Sequence, residues 1–120
     1  MHQVGYICTK IKIALAKRIL PRSKSKEIEK HLMTNFFRKH GISIGENCAI
    51  FSNICSSESE LISIGNNVTI SNGVQFINHD NCIDRMVEDV SDIYGYISIG
   101  NDCFIGAKCL IMGGYLWETR

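Results

Sequence analysis

The fold is decided by residues 62–80, which read ISIGNNVTISNGVQFINHD. The tetrapeptide ISIG that opens this stretch also occurs at residues 42–45 and 97–100. After each copy the apolar residues continue at steps of four and two, so the repeating unit is a hexapeptide. A period of six, with short strands separated by Asn or Gly, is typical of a parallel β-helix in which three flat faces make one coil.

The spacing of the three copies predicts how the coils stack. A coil of three hexapeptides needs about 18 residues, so the 20 residues between the first two copies are one coil plus two. The 35 residues between the second and third copies are one coil plus an excursion over residues 80–96, which we expect to be a loop. The turns hold residue types that tolerate positive φ angles. These residues are Gly45, Asn47, Asn53, Gly65, Asn67, Gly73, Gly100 and Gly106.

Length and composition indicate a single soluble domain. The chain has 120 residues, of which 45% are hydrophobic and 21% charged, and its modest core favours an open or oligomeric architecture. The net charge of +1 hides a segregation of charge. Residues 1–40 carry ten Lys or Arg against two Glu, whereas residues 41–120 carry three basic residues against ten acidic ones. We therefore divide the chain into a basic segment, residues 1–41, and a repeat domain, residues 42–120.

The basic segment is predicted to form two helices. The first runs from Tyr6 to Leu20 and ends at Pro21, and the second runs from Ser25, as its N-cap, to His40. In the first helix one apolar stripe recurs every four positions, at Ile7, Ile11, Leu15 and Ile19. Two interpretations of the pair stay open. It is an end cap on the repeat domain, which we favour, or a basic amphipathic anchor at a membrane surface.

The cysteines indicate a reducing compartment. None of the six lies in a Cys-x-x-Cys pair, and no signal peptide precedes them. We therefore expect free thiols, no metal site and a cytoplasmic location. If the basic segment is an anchor, the expected location is the inner face of the membrane.

The three ISIG-x-x-x-x-I runs, with His79 closing one of them and an excursion before the next, resemble the hexapeptide-repeat acyltransferases. Residues 62–114 are similar to the maltose, galactoside and polysaccharide O-acetyltransferase branch. The resemblance covers residues 42–114. It implies a mainly β fold, a left-handed parallel β-helix following the N-terminal helical segment, and a homotrimer. It also implies acetyl transfer from acetyl-CoA to a hydroxyl, and it does not identify the acceptor.

His79 is the candidate catalytic residue. It is the only histidine in the repeat region and lies at a coil corner, where by itself it is equally well a surface residue. The resemblance implies that it is the general base, since an imidazole with a pKa near 6.5 suits removal of a hydroxyl proton. No cysteine nucleophile is required, because transfer in the resembling enzymes is direct. The β-helix carbonic anhydrases need three metal-binding histidines, which argues against that class.

Further site residues follow from the resemblance. The candidate acceptor-binding residues are Asn53, Asn78, Asp80, Asp84, Arg85 and Tyr94, and the candidate CoA-binding residues are Gly106, Ala107, Gly113 and Gly114. Tyr94 and Tyr96 are suited to stacking on a sugar ring. Each of the residues on the excursion is equally well part of a solvated acidic loop.

The repeat pattern breaks at residues 115–120, where Trp117 stands in place of an Ile and Glu118 in place of a Gly. A one-base shift in the codons for Trp-Glu-Thr restores the hexapeptide register, so we expect a frameshift, a truncated CoA site and an exposed β edge. The alternative is a genuine C-terminal cap.

Two functions are therefore expected. The first is an acetyl-CoA-dependent O-acetyltransferase that acts on a sugar or polysaccharide precursor, without a metal and without nucleic acid as a partner. The second is a non-catalytic β-helical remnant that lacks a complete CoA site.

Overall fold

The computed structural model describes residues 2–56, 58–80 and 90–119. Two helices come first, α1 (His2–Ile19) and α2 (Arg22–Lys39). The strands are β1 (Ser43–Ile44), β2 (Ala49–Ile50), β3 (Ile62–Ile64), β4 (Thr69–Ile70), β5 (Gln75–Ile77), β6 (His79–Asp80), β7 (Val90–Ile99), β8 (Phe104–Ile105), β9 (Leu110–Met112) and β10 (Gly114–Thr119). A single 3-10 turn, Ser59–Leu61, precedes β3.

The repeats build three parallel sheets. Their strand orders are β1-β3-β7, β2-β4-β8 and β5-β9, so the chain visits the sheets in turn and returns to the first one coil later. The registers follow the spacing of the ISIG copies: Ser43 pairs with Ser63, which pairs with Ser98. The predicted stacking of coils is confirmed by these pairings, whereas the left-handed sense of the coil stays a prediction.

Alternation along the short strands determines the core. In β3 the two isoleucines are buried and Ser63 between them is exposed. On the second sheet Ile50 and Ile70 are paired and buried, so they form a second inward row. Burying each such side chain contributes roughly 1.5–3 kcal/mol. The core of the repeat domain is therefore a set of stacked apolar rows, one row for each inward position.

Two of the ISIG glycines allow close packing between coils. A Cβ on Gly45 would lie 2.7 Å from the carbonyl oxygen of Gly65, and one on Gly65 would lie 2.9 Å from the backbone of Gly100. Positive φ angles occur instead at Asn47, Asn67 and Gly73, as predicted, and at Asp102 and Lys108, which the prediction missed. The expectation of positive φ was therefore wrong for Gly45, Asn53, Gly65, Gly100 and Gly106. Gly45 and Gly65 are required instead because a side chain would not fit between the coils.

A ladder of polar side chains runs along the corner that follows each marker. Asn47 donates through Nδ2 to Oδ1 of Asn67 at 3.0 Å, and Asn67 donates in turn to Asp102 at 2.8 Å. Beside it, the side-chain oxygen of Asn66 accepts from the backbone N–H of Glu46 at 2.8 Å. These bonds hold the corners in register at the exposed surface.

Helix α2 lies on the first coil. Met33 and Phe37 are fully buried in the same cluster as Ile42 and Ile50, so this helix covers one end of the apolar rows. The predicted N-cap role of Ser25 was wrong, because the helix begins directly after Pro21. Ser25 lies in the first turn, where its hydroxyl donates to the carbonyl of Arg22 at 3.0 Å.

Helix α1 packs on α2 with a different face from the one that the periodicity predicts. Ile13 is buried, and Tyr6 meets the ring of Phe36 edge-on at 5.8 Å between centroids. The four-residue stripe is exposed instead, with Ile11 and Leu15 more than half accessible. Among the described residues, neither α1 nor α2 has a stretch that is long enough and apolar enough to cross a membrane.

The excursion and the last residues pair with each other. The first half of β7 accepts β6 and β10 as antiparallel neighbours, and its last three residues join β3 in the parallel sheet. Residues 90–96 are therefore strand, and the expectation of a loop was wrong for them because two neighbours satisfy their backbone groups. The expected exposed edge occurs at β8 and β9 within the described part of the chain, whereas β10 covers β7.

Candidate functional site

The site is built around His79, which lies in β6 directly after the second coil. The strand pairs antiparallel with β7, and His79 faces Tyr94 in the register. Residues directly opposite each other on antiparallel strands point to the same side of the sheet. The structure therefore brings the predicted base and the predicted sugar-stacking residue Tyr94 to one face.

A carboxylate that sequence reasoning missed lies against the imidazole. Oε1 of Glu58 is 2.8 Å from Nδ1 of His79, and both side chains are partly accessible, at 27% and 33%. A carboxylate only accepts hydrogen bonds, so Nδ1 carries the proton and the lone pair of the neutral ring lies on Nε2. The negative charge also stabilises the imidazolium that forms when Nε2 takes up a proton.

A buried asparagine holds Glu58 in place. Asn78 is 1% exposed, and its Nδ2 donates to the backbone carbonyl of Glu58 at 2.9 Å. Its Oδ1 accepts from the hydroxyl of Ser56 at 2.7 Å, and the hydroxyl of Ser59 closes the turn on the carbonyl of Ser56 at 2.9 Å. Asn78 was predicted to bind the acceptor, but in the structure its amide is used to position the Glu58 turn.

The other predicted acceptor residues are distributed unevenly. Asn53 accepts the backbone N–H of Cys55 at 3.2 Å, which is a local turn bond. The backbone of Asp80 is in β6, whereas Asp84 and Arg85 lie outside the described residues. Tyr94 is half-buried beside His79, and Tyr96 is 61% exposed. Their roles as acceptor ligands stay predictions.

A cavity of about 200 Å³ adjoins the imidazole. Its lining residues are Cys55, Ser56, Phe76, Ile77, Asn78 and His79. Burial raises the pKa of the Cys55 thiol to about 11. The thiol is therefore protonated at neutral pH, and a protonated thiol is a poor nucleophile. The basic side chain in the lining of this cavity is the imidazole of His79.

The predicted CoA-binding residues occupy two places. Gly106 and Ala107 form the turn between β8 and β9, and no atom lies within 4 Å of a Cβ built on Gly106. Close packing explains why residue 113 is a glycine, because a Cβ there would lie 3.1 Å from the backbone of Gly95. Gly114 begins β10. The first pair is open to a ligand, while Gly113 allows the close approach of β7.

The signal that locates Glu58 was present in the sequence. The first two ISIG copies are 20 residues apart, and the strands pair at that offset, so residue 58 lies one coil below residue 78. Applying the offset to His79 leads directly to the Glu58–Ser59 corner. Among the described residues, no three His, Cys, Asp or Glu side chains are grouped closely enough to hold a metal ion.

Comparison with known proteins identifies the family of this chain. A profile described as "Hexapeptide repeat of succinyl-transferase" matches residues 41–75 and 96–114, which contain the three ISIG copies. A protein named CapG from Staphylococcus aureus is 37% identical over 94 residues, which are 74% of this chain and 55% of CapG. The chain belongs to the hexapeptide-repeat acyltransferase superfamily.

Membership of the hexapeptide-repeat acyltransferases agrees with the strand registers. The matched residues 41–75 and 96–114 include β1 to β4, the end of β7, β8 and β9. The interval between them contains His79 and the excursion. The chain spans about half the length of the curated relative that it matches, 55%. No solved structure matches it.

Proposed function

We propose that the chain is an O-acetyltransferase that moves the acetyl group of acetyl-CoA to a hydroxyl of a sugar or polysaccharide precursor. Hexapeptide-repeat acyltransferases generally use acyl-CoA, which supports the thioester donor. The single observation that carries the proposal is the 2.8 Å contact between Glu58 and His79, because it prepares one imidazole nitrogen as a base.

In the proposed reaction the acceptor hydroxyl lies at Nε2 of His79. Its oxygen attacks the thioester carbonyl carbon while Nε2 removes its proton, and the imidazolium is stabilised by the Glu58 carboxylate. The tetrahedral intermediate then breaks its carbon–sulfur bond. The proton passes from Nε2 to the departing sulfur, so the products are the acetyl ester and free CoA thiol, and the imidazole is neutral again.

Transfer is proposed to be direct, without an acetylated enzyme. The candidate for a covalent nucleophile in the cavity is Cys55, whose pKa is raised to about 11 by burial. At neutral pH very little of that thiol is ionised, so it does not compete with an activated hydroxyl. A Cys55→Ala variant is accordingly expected to keep its activity.

The remaining parts of the proposal concern the donor and the assembly. Lys108, in the turn with Gly106 and Ala107, is one of three basic residues after position 40 and offers charge to the phosphates of CoA. Hexapeptide-repeat transferases commonly form trimers, so we propose a homotrimer of left-handed β-helices with the site between neighbouring copies. The reaction is proposed to occur in the cytoplasm, where acetyl-CoA is available.

The test is a thiol-release assay on the purified full chain with acetyl-CoA and a panel of sugars and polysaccharide repeat units. His79→Ala is expected to lower the rate about 10²- to 10⁴-fold, as loss of a general base does. Glu58→Gln, which keeps the shape but removes the charge, is expected to cost roughly tenfold. His31→Ala is the matched control, because His31 is exposed on α2 and bonds only its neighbour Asn35 at 3.1 Å in the described contacts. An unchanged rate in His79→Ala refutes the assignment.

The second candidate is a β-helical protein that does not bind CoA. Calorimetric titration with CoA separates the two. Detectable binding supports the transferase, and no binding supports the remnant.

A further inference from the structure

One face of α1 is apolar and exposed, and it does not pack against the rest of the protein. It consists of Val4, Ile7, Ile11, Leu15 and Ile19, which we call the α1 stripe, and these side chains are between 53% and 76% exposed. With a rise of about 1.5 Å per residue, the stripe is roughly 22 Å long. A continuous apolar row of this length on a surface helix marks an interaction site.

The stripe is not a face that α1 needs for its packing. The helix contacts α2 through Ile13, which is 3% exposed, and through Tyr6, one heptad earlier on the same side. At about 100° per residue, Ile11 and Ile13 point to nearly opposite sides of the helix. The stripe therefore faces away from α2 and from the repeat domain.

Basic residues flank the stripe, and α1 contains no acidic residue. Lys12 lies on one border of the stripe, and Arg18 lies beside Ile19 at its end. Lys10 is directed the other way, with its Nζ 5.5 Å from the centre of the Tyr6 ring. Lys17 is already engaged by Glu29, with 3.2 Å between its Nζ and the carboxylate. The surface thus combines an apolar row with positive charge along its edges.

We infer that the α1 stripe docks on an anionic lipid bilayer, with the helix lying in the plane of the headgroups. A bilayer offers both chemistries at once, acyl chains for the stripe and lipid phosphates for Lys12 and Arg18. A second copy of the stripe is the poorer partner, because residues 1–40 carry ten basic residues against two acidic ones and would bring like charges together.

With the stripe on the bilayer, α2 would lie above α1, away from the lipid, and the repeat domain would be held close to the membrane surface. The helix pair and the first coil share one buried cluster, so α1 is fixed to the domain through α2. The inference does not depend on the proposed acetyl transfer, since the stripe shares no residue with the His79 site.

The test is co-sedimentation of the full chain with vesicles of phosphatidylcholine alone or mixed with an equal amount of phosphatidylglycerol. The wild-type chain is expected to bind the anionic vesicles at least about tenfold more tightly, and high salt is expected to weaken that binding. The double variant Ile11→Glu, Leu15→Glu is expected to lose it by about tenfold or more.

A matched control changes an equally exposed apolar residue elsewhere. Leu110, at 54%, is as accessible as Ile11 and Leu15, so Leu110→Glu removes the same kind of surface on β9 and adds one negative charge, half of what the stripe variant adds. It is expected to bind as the wild type does. A second variant, Lys12→Gln with Arg18→Gln, keeps the stripe and is expected to lose roughly tenfold in affinity for anionic vesicles only.

Three results would overturn the inference. The first is a wild-type chain without a preference for anionic vesicles, and the second is an equal loss of binding in the stripe variant and in Leu110→Glu. The third is a wild-type chain that is oligomeric and does not bind vesicles, together with a stripe variant that is monomeric. The last result, read by sedimentation velocity, would make the stripe an interface between copies. Circular dichroism of each variant keeps a folding defect from being mistaken for lost binding.

Discussion

The substitution Gly65→Ala tests whether the coils approach as closely as the strand registers require. The new methyl group would lie 2.9 Å from the carbonyl carbon and oxygen of Gly100 in the next coil. It would also collide with Oδ1 of Asn101, which accepts from the backbone N–H of Asn66 at 2.7 Å. The substitution adds no conformational strain of its own, because Gly65 does not have a positive φ.

The expected cost follows from these contacts. Forcing a methyl group against a backbone that belongs to the sheet costs about 1–3 kcal/mol, and loss of the Asn101 bond adds about 1 kcal/mol. The total, about 2–4 kcal/mol, corresponds to a melting temperature lowered by roughly 10 °C in a chain of this size. Gly100→Ala is the matched control, since it occupies the same position of the ISIG tetrapeptide and meets no atom within 4 Å.

The measurement is thermal and urea-induced unfolding of both variants, followed by circular dichroism. Gly100→Ala is expected to stay within about 0.5 kcal/mol of the wild type, as surface substitutions usually do. Equal destabilisation of the two variants would mean that the marker glycines are needed for their conformation. The stacking of coils described above would then be wrong at this corner.

Three further outcomes are expected. Ser52→Ala should lower the unfolding free energy by about 1–3 kcal/mol, because the buried Ser52 hydroxyl accepts the backbone N–H of Val74 at 2.9 Å; Ser43→Ala, at an exposed position, should have no effect in the same urea titration. Asn67→Ala should be less stable than Asn67→Gly, since both remove the side-chain ladder but only glycine accepts the φ of 56° at no cost; equal stabilities would contradict the conformational argument. Iodoacetamide should alkylate the exposed Cys8 well before Cys55, and Cys55 labelling should rise only as pH approaches 11, because burial raises the pKa of that thiol from about 9; mass spectrometry showing an apparent pKa near 9 would refute the burial.

Much of the repeat domain was predictable from the sequence because its rules are local. A six-residue period specifies which side chains face inward, and the offsets of 20 and 35 residues specify the strand pairings that the structure has. His79 and Tyr94 were named as candidates from the sequence, and their roles stay predictions; the pairing of β6 with β7 places them opposite each other.

The predictions that failed depended on what other parts of the chain do. Residues 90–96 were expected to be a loop, because nothing in their local sequence reveals that β6 and β10 supply their hydrogen-bond partners. The N-cap at Ser25 failed for a related reason. Pro21 is the N-cap, and the helix begins at Arg22, about one turn before Ser25.

The sequence by itself determined a three-sheet stack of hexapeptide coils, a basic helical segment and one histidine at a corner, since each is encoded by periodicity or charge within a short window. The 20-residue offset already placed the Glu58–Ser59 corner one coil below His79. Tertiary structure decided that the Glu58 carboxylate contacts the imidazole, that Asn78 is buried beneath them, and that α1 packs through Ile13 and leaves its regular stripe outside. The physical reason is that a periodic pattern records how apolar side chains are spaced, whereas the face that becomes buried is chosen by the shape of the neighbouring surface. Phe36 and Tyr6 provide that shape, and they lie 30 residues apart in the sequence.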